Sequence, residues 1–248
     1  MIDPTMTAAS IANDWTRLGV KLPKSLTTAI TVYEEIRYVA KPKPTINIDD
    51  LTVENLADTI SQVTDNLVRA DKHAEAVREV RNRLASQVLR EAGAAVPTVL
   101  EQFRDRFDAA VTKFAKAAER LPDDLSSDSL VKAGPDALVA LGEAREAAAE
   151  IKQVESYLAS LVQLPAYSVF GHHPALRIFA PESPEQLSVL TNARNNKRHD
   201  PLVRELGPIL WHGIKAGVPT ALNTPDESAR IEQELKEQAR AAAAAARI

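Results

Sequence analysis

From Leu56 to Val88, apolar residues recur at alternating steps of four and three. Leu56, Ile60, Val63, Leu67, Ala70, Ala74 and Val77 form the series, Arg81 breaks it, and Leu84 and Val88 resume it. Steps of four and three put every one of these side chains on a single stripe of an α-helix, whereas a strand would scatter them over both faces. The repeat is the heptad of a coiled-coil seam. A helix with one apolar stripe gains most of its stability by packing that stripe against another element. The segment is therefore expected to be helical, and the rest of the chain or a partner must supply the covering surface.

Two further segments repeat the pattern. Val96, Leu100, Phe103, Phe107, Ala110, Phe114, Ala117 and Leu121 form a second seam, and a third helix over about 136–163 presents Leu138, Leu141, Ala144, Ala148, Ile151, Leu158 and Leu161. Glu143, Arg145, Glu146, Glu150 and Lys152 line the edges of the third helix as a solvated face. Thr52 suits the cap of the first helix, with Asn55 where a capping box has Glu or Gln, so the box reads as incomplete. Gly93 and Pro97 are expected to interrupt that helix. The alternative is that 97–121 continues it after a kink. "PDDLSSDS" at 122–129 reads as a turn. The first helix is longer than the other two, so a three-helix antiparallel bundle leaves part of its seam uncovered. That mismatch points to self-association or to a partner helix.

The flanks differ in kind. Residues 1–45 read as a helical pair: Ile11, Trp15 and Leu18 in one helix, and Leu26, Ile30, Tyr33 and Arg37 in the other, after Pro23. "TTAITVY" also fits a strand. The prolines of "KPKPTINIDD" (41–50) mark a linker. Seven prolines punctuate 164–224, which holds four of the five histidines and the aromatics Tyr167, Phe170, Phe179 and Trp211. It reads as a compact cap with short helices near 184–194 and 201–216. Thr224, Pro225, Asp226 and Glu227 compose a helix start, and "ARAAAAAARI" forms an alanine-rich tail.

Composition supports helices over sheets. Glycine (8 residues) and aromatics (4%) are scarce, and alanine, the best helix former, is abundant. The fold class is all-α: an elongated helical bundle or antiparallel coiled-coil with a Pro-rich, loop-rich C-terminal cap and a terminal helix. The organisation is 1–45, an N-terminal helical pair; 46–163, a long coiled-coil-like bundle; 164–224, a Pro/His-rich cap; and 225–248, the C-terminal helix and tail. With no cysteine, disulfides, thiolate metal sites and a cysteine nucleophile are excluded. No apolar run approaches the ~20 residues of a membrane span, and the N-terminus does not read as a signal peptide. A cytoplasmic, intracellular or virion-associated setting is expected. The formal charge of −4 divides into an acidic 46–163 and slightly basic stretches on either side. A broad nucleic-acid binder would carry a larger positive field.

"NNKRHDPLVREL" (195–206) offers several chemistries. The simplest is a helix start: Asp200 caps, Pro201 takes the first position, and Leu202, Val203, Leu206, Ile209 and Leu210 supply a buried face. A metal-dependent phosphohydrolase reading resembles the HD type in the order of its ligands: His172 or His173, then His199 with Asp200, then Asp226. The resemblance stops at order, because Pro201 puts the His-Asp pair at a helix start. A nucleic-acid reading rests on the basic cluster Arg194, Lys197, Arg198 and Arg204, without helix-turn-helix grammar or aromatic interleaving. Arg81, at a core position of the seam, reads as a long stem packed with its head in solvent, or as a polar residue that specifies register or partner. Together these features lead to a non-enzymatic helical interaction or assembly protein without a cofactor. Its expected working surface is the seam of Leu56, Ile60, Val63, Leu67, Val77, Arg81, Leu84 and Val88, with self-association as the expected mode. A structural component of a larger particle, such as a phage, is a setting that suits it.

Overall fold

A computed structural model describes residues 3–40, 51–167 and 172–245. The 41–50 linker, Phe170 and the end of the alanine-rich tail lie outside them. Among the described residues the fold is all-α, with no strand beyond one antiparallel bridge between Phe179 and Thr220. The chain divides into two compact units. One comprises Met1–Arg17 and Leu22–Ala95, the other Leu18–Lys21 and Val96–Ile248.

The first unit begins with α1 (Pro4–Trp15), capped by the Asp3 side chain on the Thr5 amide with Pro4 at the first position. α2 (Lys24–Glu35) runs into a 3-10 turn, Ile36–Tyr38. "TTAITVY" is therefore helix. Thr7, Ala8, Ile11, Ala12 and Trp15 of α1 and Leu26, Ala29, Ile30 and Tyr33 of α2 are buried. The Tyr33 hydroxyl ties the two helices by donating to the Thr5 carbonyl at 2.7 Å. α3 (Leu56–Arg120) starts after a closed capping box. The Thr52 amide donates to Asn55 Oδ1 at 2.8 Å, and the Asn55 amide donates to Thr52 Oγ1 at 3.3 Å. Asn55 thus performs the role expected of Glu or Gln. Ala85, Val88, Leu89, Ala92 and Ala95 are the buried residues of α3 in this unit.

Gly93 and Pro97 do not interrupt the helix: α3 is continuous through both. Proline lacks the amide that would bond the carbonyl four residues back, and its ring crowds that carbonyl. Here that residue is Gly93, which has no side chain to resist the adjustment. Pro97 itself is on the exposed side.

In the second unit, Val96, Val99, Phe103, Phe107, Ala110, Phe114 and Ala117 of α3 are buried. α4 (Ser127–Ala133), capped by Ser126, occupies part of the stretch that reads as a turn in the sequence. α5 (Pro135–Ser160) buries Ala137, Ala140, Leu141, Ala144, Ala147, Ala148, Ile151, Val154, Tyr157 and Leu158. Leu138, expected in that core, is 55% exposed; the stripe runs through the alanines beside it. α5 lies antiparallel on α3. Arg106 pairs with Glu150 at 2.9 Å, Lys113 with Glu146 at 2.6 Å, and Arg120 with Glu143, so one partner's numbers rise as the other's fall. Phe103 meets Tyr157 with ring centroids 5.2 Å apart.

The cap region contains a 3-10 turn at Pro174–Arg177, then α6 (Pro184–Asn195), α7 (Pro201–Leu206) and α8 (Pro208–Lys215). The single helix expected over 201–216 is broken at Gly207. Its φ of +96° is open to glycine and strained for other residues, and the residue before a proline is pushed out of the helical region. α9 (Pro225–Ala245) follows a complete capping box. The Thr224 amide donates to Glu227 Oε2 at 2.8 Å, and the Glu227 amide donates to Thr224 Oγ1 at 3.3 Å.

Candidate interaction surface

The heptad seam meets two different environments along α3. Between Val96 and Ala117 it is largely buried in the second unit. From Leu56 to Arg83 no residue of α3 is buried. Leu56, Ile60 and Leu67 are 47%, 58% and 52% exposed. Ala74 is exposed, and Val63, Ala70 and Val77 are half-buried. Leu84 is half-buried and Val88 fully buried, so the open stretch ends between Val77 and Leu84. Val53 stands in the turn that leads into α3. It lies three residues before Leu56, continues the alternation, and is 93% exposed. Its spacing is present in the sequence, but the cap signal of 52–55 masks it.

Arg81 marks where the seam closes. The side chain is exposed, and its guanidinium carbon stands 5.9 Å from the centroid of the Tyr33 ring. The Asp3 carboxyl is held below its usual range, first by the Thr5 hydroxyl and amide, with Arg81 adding a weaker attraction. Arg81 is thus the point at which α2 takes up the helix face: its cation rests on an aromatic ring of the same unit, as a cation–π contact does.

The other candidate residues are dispersed and engaged. His173 Nδ1 accepts from the Ala175 amide at 3.3 Å, and the His173 amide donates to Glu232 at 2.6 Å. Burial, with help from Arg194, lowers the His173 pKa. His199 Nε2 lies 2.6 Å from the Ala193 carbonyl, and the His199 ring is 5.2 Å from that of His212. Burial and then His199 push the His212 pKa down. Asp200 caps α7 through the Leu202 amide at 2.8 Å. His172 lines an open groove with α9, and Asp226 lies in that helix's first turn. Among the described residues no group of three or more His, Cys, Asp or Glu is placed to hold a metal. The order that resembled the HD type is therefore not matched by convergence in space.

In the basic cluster, Arg194, Lys197, Arg198 and Arg204 are exposed. Arg204 donates to the Lys197 carbonyl at 3.1 Å, and the Arg198 amide donates to Asn196 Oδ1 at 2.9 Å. These bonds hold the 196–200 loop against the start of α7.

One cleft of the second unit, about 420 Å³, is lined by Ile151, Glu155, Ile178, Leu206 and Leu210 among others. Glu155 is half-buried there, and desolvation raises its pKa against the opposing pull of Arg177 and Lys152. No described helix is long and apolar enough to cross a membrane.

Comparison with family models, with curated proteins and with solved structures found no match.

Proposed function

We propose that this chain is a non-enzymatic helical interaction protein, with the open seam of α3 as its working surface. One observation carries the reading. The heptad stripe that is largely buried from Val88 on has no buried residue from Val53 to Val77, and Leu56, Ile60 and Leu67 stand exposed. Apolar side chains at heptad spacing gain free energy when a second helix covers them, roughly 25 cal/mol for each Å² removed from water. The covering helix is expected from another copy of the chain. An assembly role, in a larger particle such as a phage or elsewhere in a cell, follows naturally from a surface of this kind.

Light scattering coupled to size-exclusion chromatography tests the reading. The wild-type chain should elute with more than one chain's mass, and Ile60→Asp with Leu67→Asp should return it to a single chain. Both positions are exposed, so the substitutions leave each unit's core intact. A wild-type protein that stays at one chain's mass at high concentration would overturn the reading.

A further inference from the structure

Resting on that reading, we propose that the seam pairs with a second copy of itself in antiparallel orientation, about a two-fold axis beside Asp65. Three features of the first unit lead there.

The first is side-chain size. The seam positions are Val53, Leu56, Ile60, Val63, Leu67, Ala70, Ala74 and Val77, large at the beginning and small toward the end. A parallel pair in register would stack Ala70 on Ala70 and Ala74 on Ala74, leaving two successive thin layers. Antiparallel pairing about Asp65 sets Leu56 against the partner's Ala74, Ile60 against the partner's Ala70 and Val63 against the partner's Leu67. It also sets Val53 against the partner's Val77, which gives the most exposed apolar side chain of the stretch a place to go. Leu56 and Ile60 then face alanines and the other two layers pair residues of middle size, so the layers come out similar in volume, the arrangement that fills a helix interface without voids.

The second feature is the closure at Arg81. The Tyr33 ring already occupies the seam face there. In a parallel pair the partner helix would continue along this face beyond residue 81, carrying its own α1 and α2 into the same space. In the antiparallel register the partner's helix begins opposite Ala74, so that helix does not run along the face at Arg81.

The third is charge. Residues 51–68 contain Glu54, Asp58 and Asp65 and no Lys or Arg. Residues 69–83 contain Arg69, Lys72, Arg78, Arg81 and Arg83 against Asp71, Glu75 and Glu79. The first stretch is net negative and the second net positive. In the antiparallel register the acidic 51–61 faces 69–79, whose Arg69, Lys72 and Arg78 balance Asp71, Glu75 and Glu79, whereas a parallel pair sets the acidic stretch against its own copy. Asp58, Asp65 and Asp71 are acids without an ion pair among the described residues, and so are the bases Arg69 and Arg78. These groups act as segment charges that favour one orientation over the other.

The absence of cysteine makes the test direct. Leu56→Cys and Ala74→Cys are prepared separately in the full chain, both at exposed positions, and are oxidised alone and as an equal mixture. Nonreducing electrophoresis and mass spectrometry read the products. The expected result in the mixture is a disulfide joining position 56 of one copy to position 74 of the other, with neither variant linking to itself. Self-linking of Leu56→Cys alone would overturn the antiparallel orientation and leave the interaction reading standing. A wild-type chain of single mass by light scattering would overturn both. Association without any cross-link through either position would overturn the pairing register.

Discussion

At the scale of single residues, the second unit contains two positions where packing and solvation make opposite demands. Gly213 in α8 has no room for a side chain: an added Cβ would overlap Phe179 Cζ and stand 2.9 Å from Leu190 Cδ2. Gly213→Ala should therefore lose about 1–3 kcal/mol, the usual cost of overpacking a fitted core, as a lower urea midpoint at unchanged slope. Its role is not legible in the sequence, because a lone glycine in a helix carries no sign of what lies against it. Glu155 makes the reverse case. Desolvation raises its folded pKa above the unfolded value, so the unfolded chain gives up that proton at lower pH than the folded chain does. This contribution favours the fold at acidic pH and is lost as pH rises through the folded pKa. Glu155→Gln removes the penalty. Its melting temperature should exceed that of the wild type at pH 7, and the difference should shrink when both are measured well below the ordinary glutamate pKa. A constant difference across that range would assign the effect to packing instead of charge.

At the scale of elements, local grammar is legible where the signal is short-range and obscure where a neighbour decides. The cap at Asp200, the box at Thr224 and the helix spacing of Ile11, Trp15, Leu26, Ile30 and Tyr33 are all visible in the sequence, since each depends on residues within one or two turns. The break at Gly207 is local too, a Gly-Pro pair, but the apolar period that runs on to Leu210 hides it. Leu138 fits the period of a core residue; the structure instead buries Ala137, Ala140 and Ala144 on the face beside it. Pro97 reads as an interruption because of its intrinsic cost. That cost is present even though the helix continues. An alanine there would restore the amide that bonds the Gly93 carbonyl, and proline is roughly 3 kcal/mol worse than alanine inside a helix. Pro97→Ala should accordingly raise stability, by about 1 kcal/mol or more once the added freedom of the unfolded chain is counted. Equilibrium urea unfolding followed by circular dichroism measures the change.

At the scale of the whole molecule, the period in α3 is the same where it is buried and where it is open. Leu56–Val77 and Val96–Ala117 obey one spacing rule, so the spacing locates the seam without showing which part the chain covers for itself. The stretch 56–77 has no fully buried side chain, so it lacks the tertiary packing that supplies most of a helix's stability. In a lone chain its amides should open locally at small free energy, while those of 99–117, packed against α5, should open only near the global limit. Association by mass action stabilises only the packed form. Hydrogen exchange followed by mass spectrometry should therefore separate the two stretches. On the order of a hundredfold dilution should accelerate exchange in 56–77 and leave 99–117 unchanged, and Ile60→Asp should exchange fast in 56–77 at both concentrations. Equal protection of 56–77 at both concentrations would mean that the stripe is shielded within one chain, and the exposure of Leu56, Ile60 and Leu67 would then need no second copy to account for it.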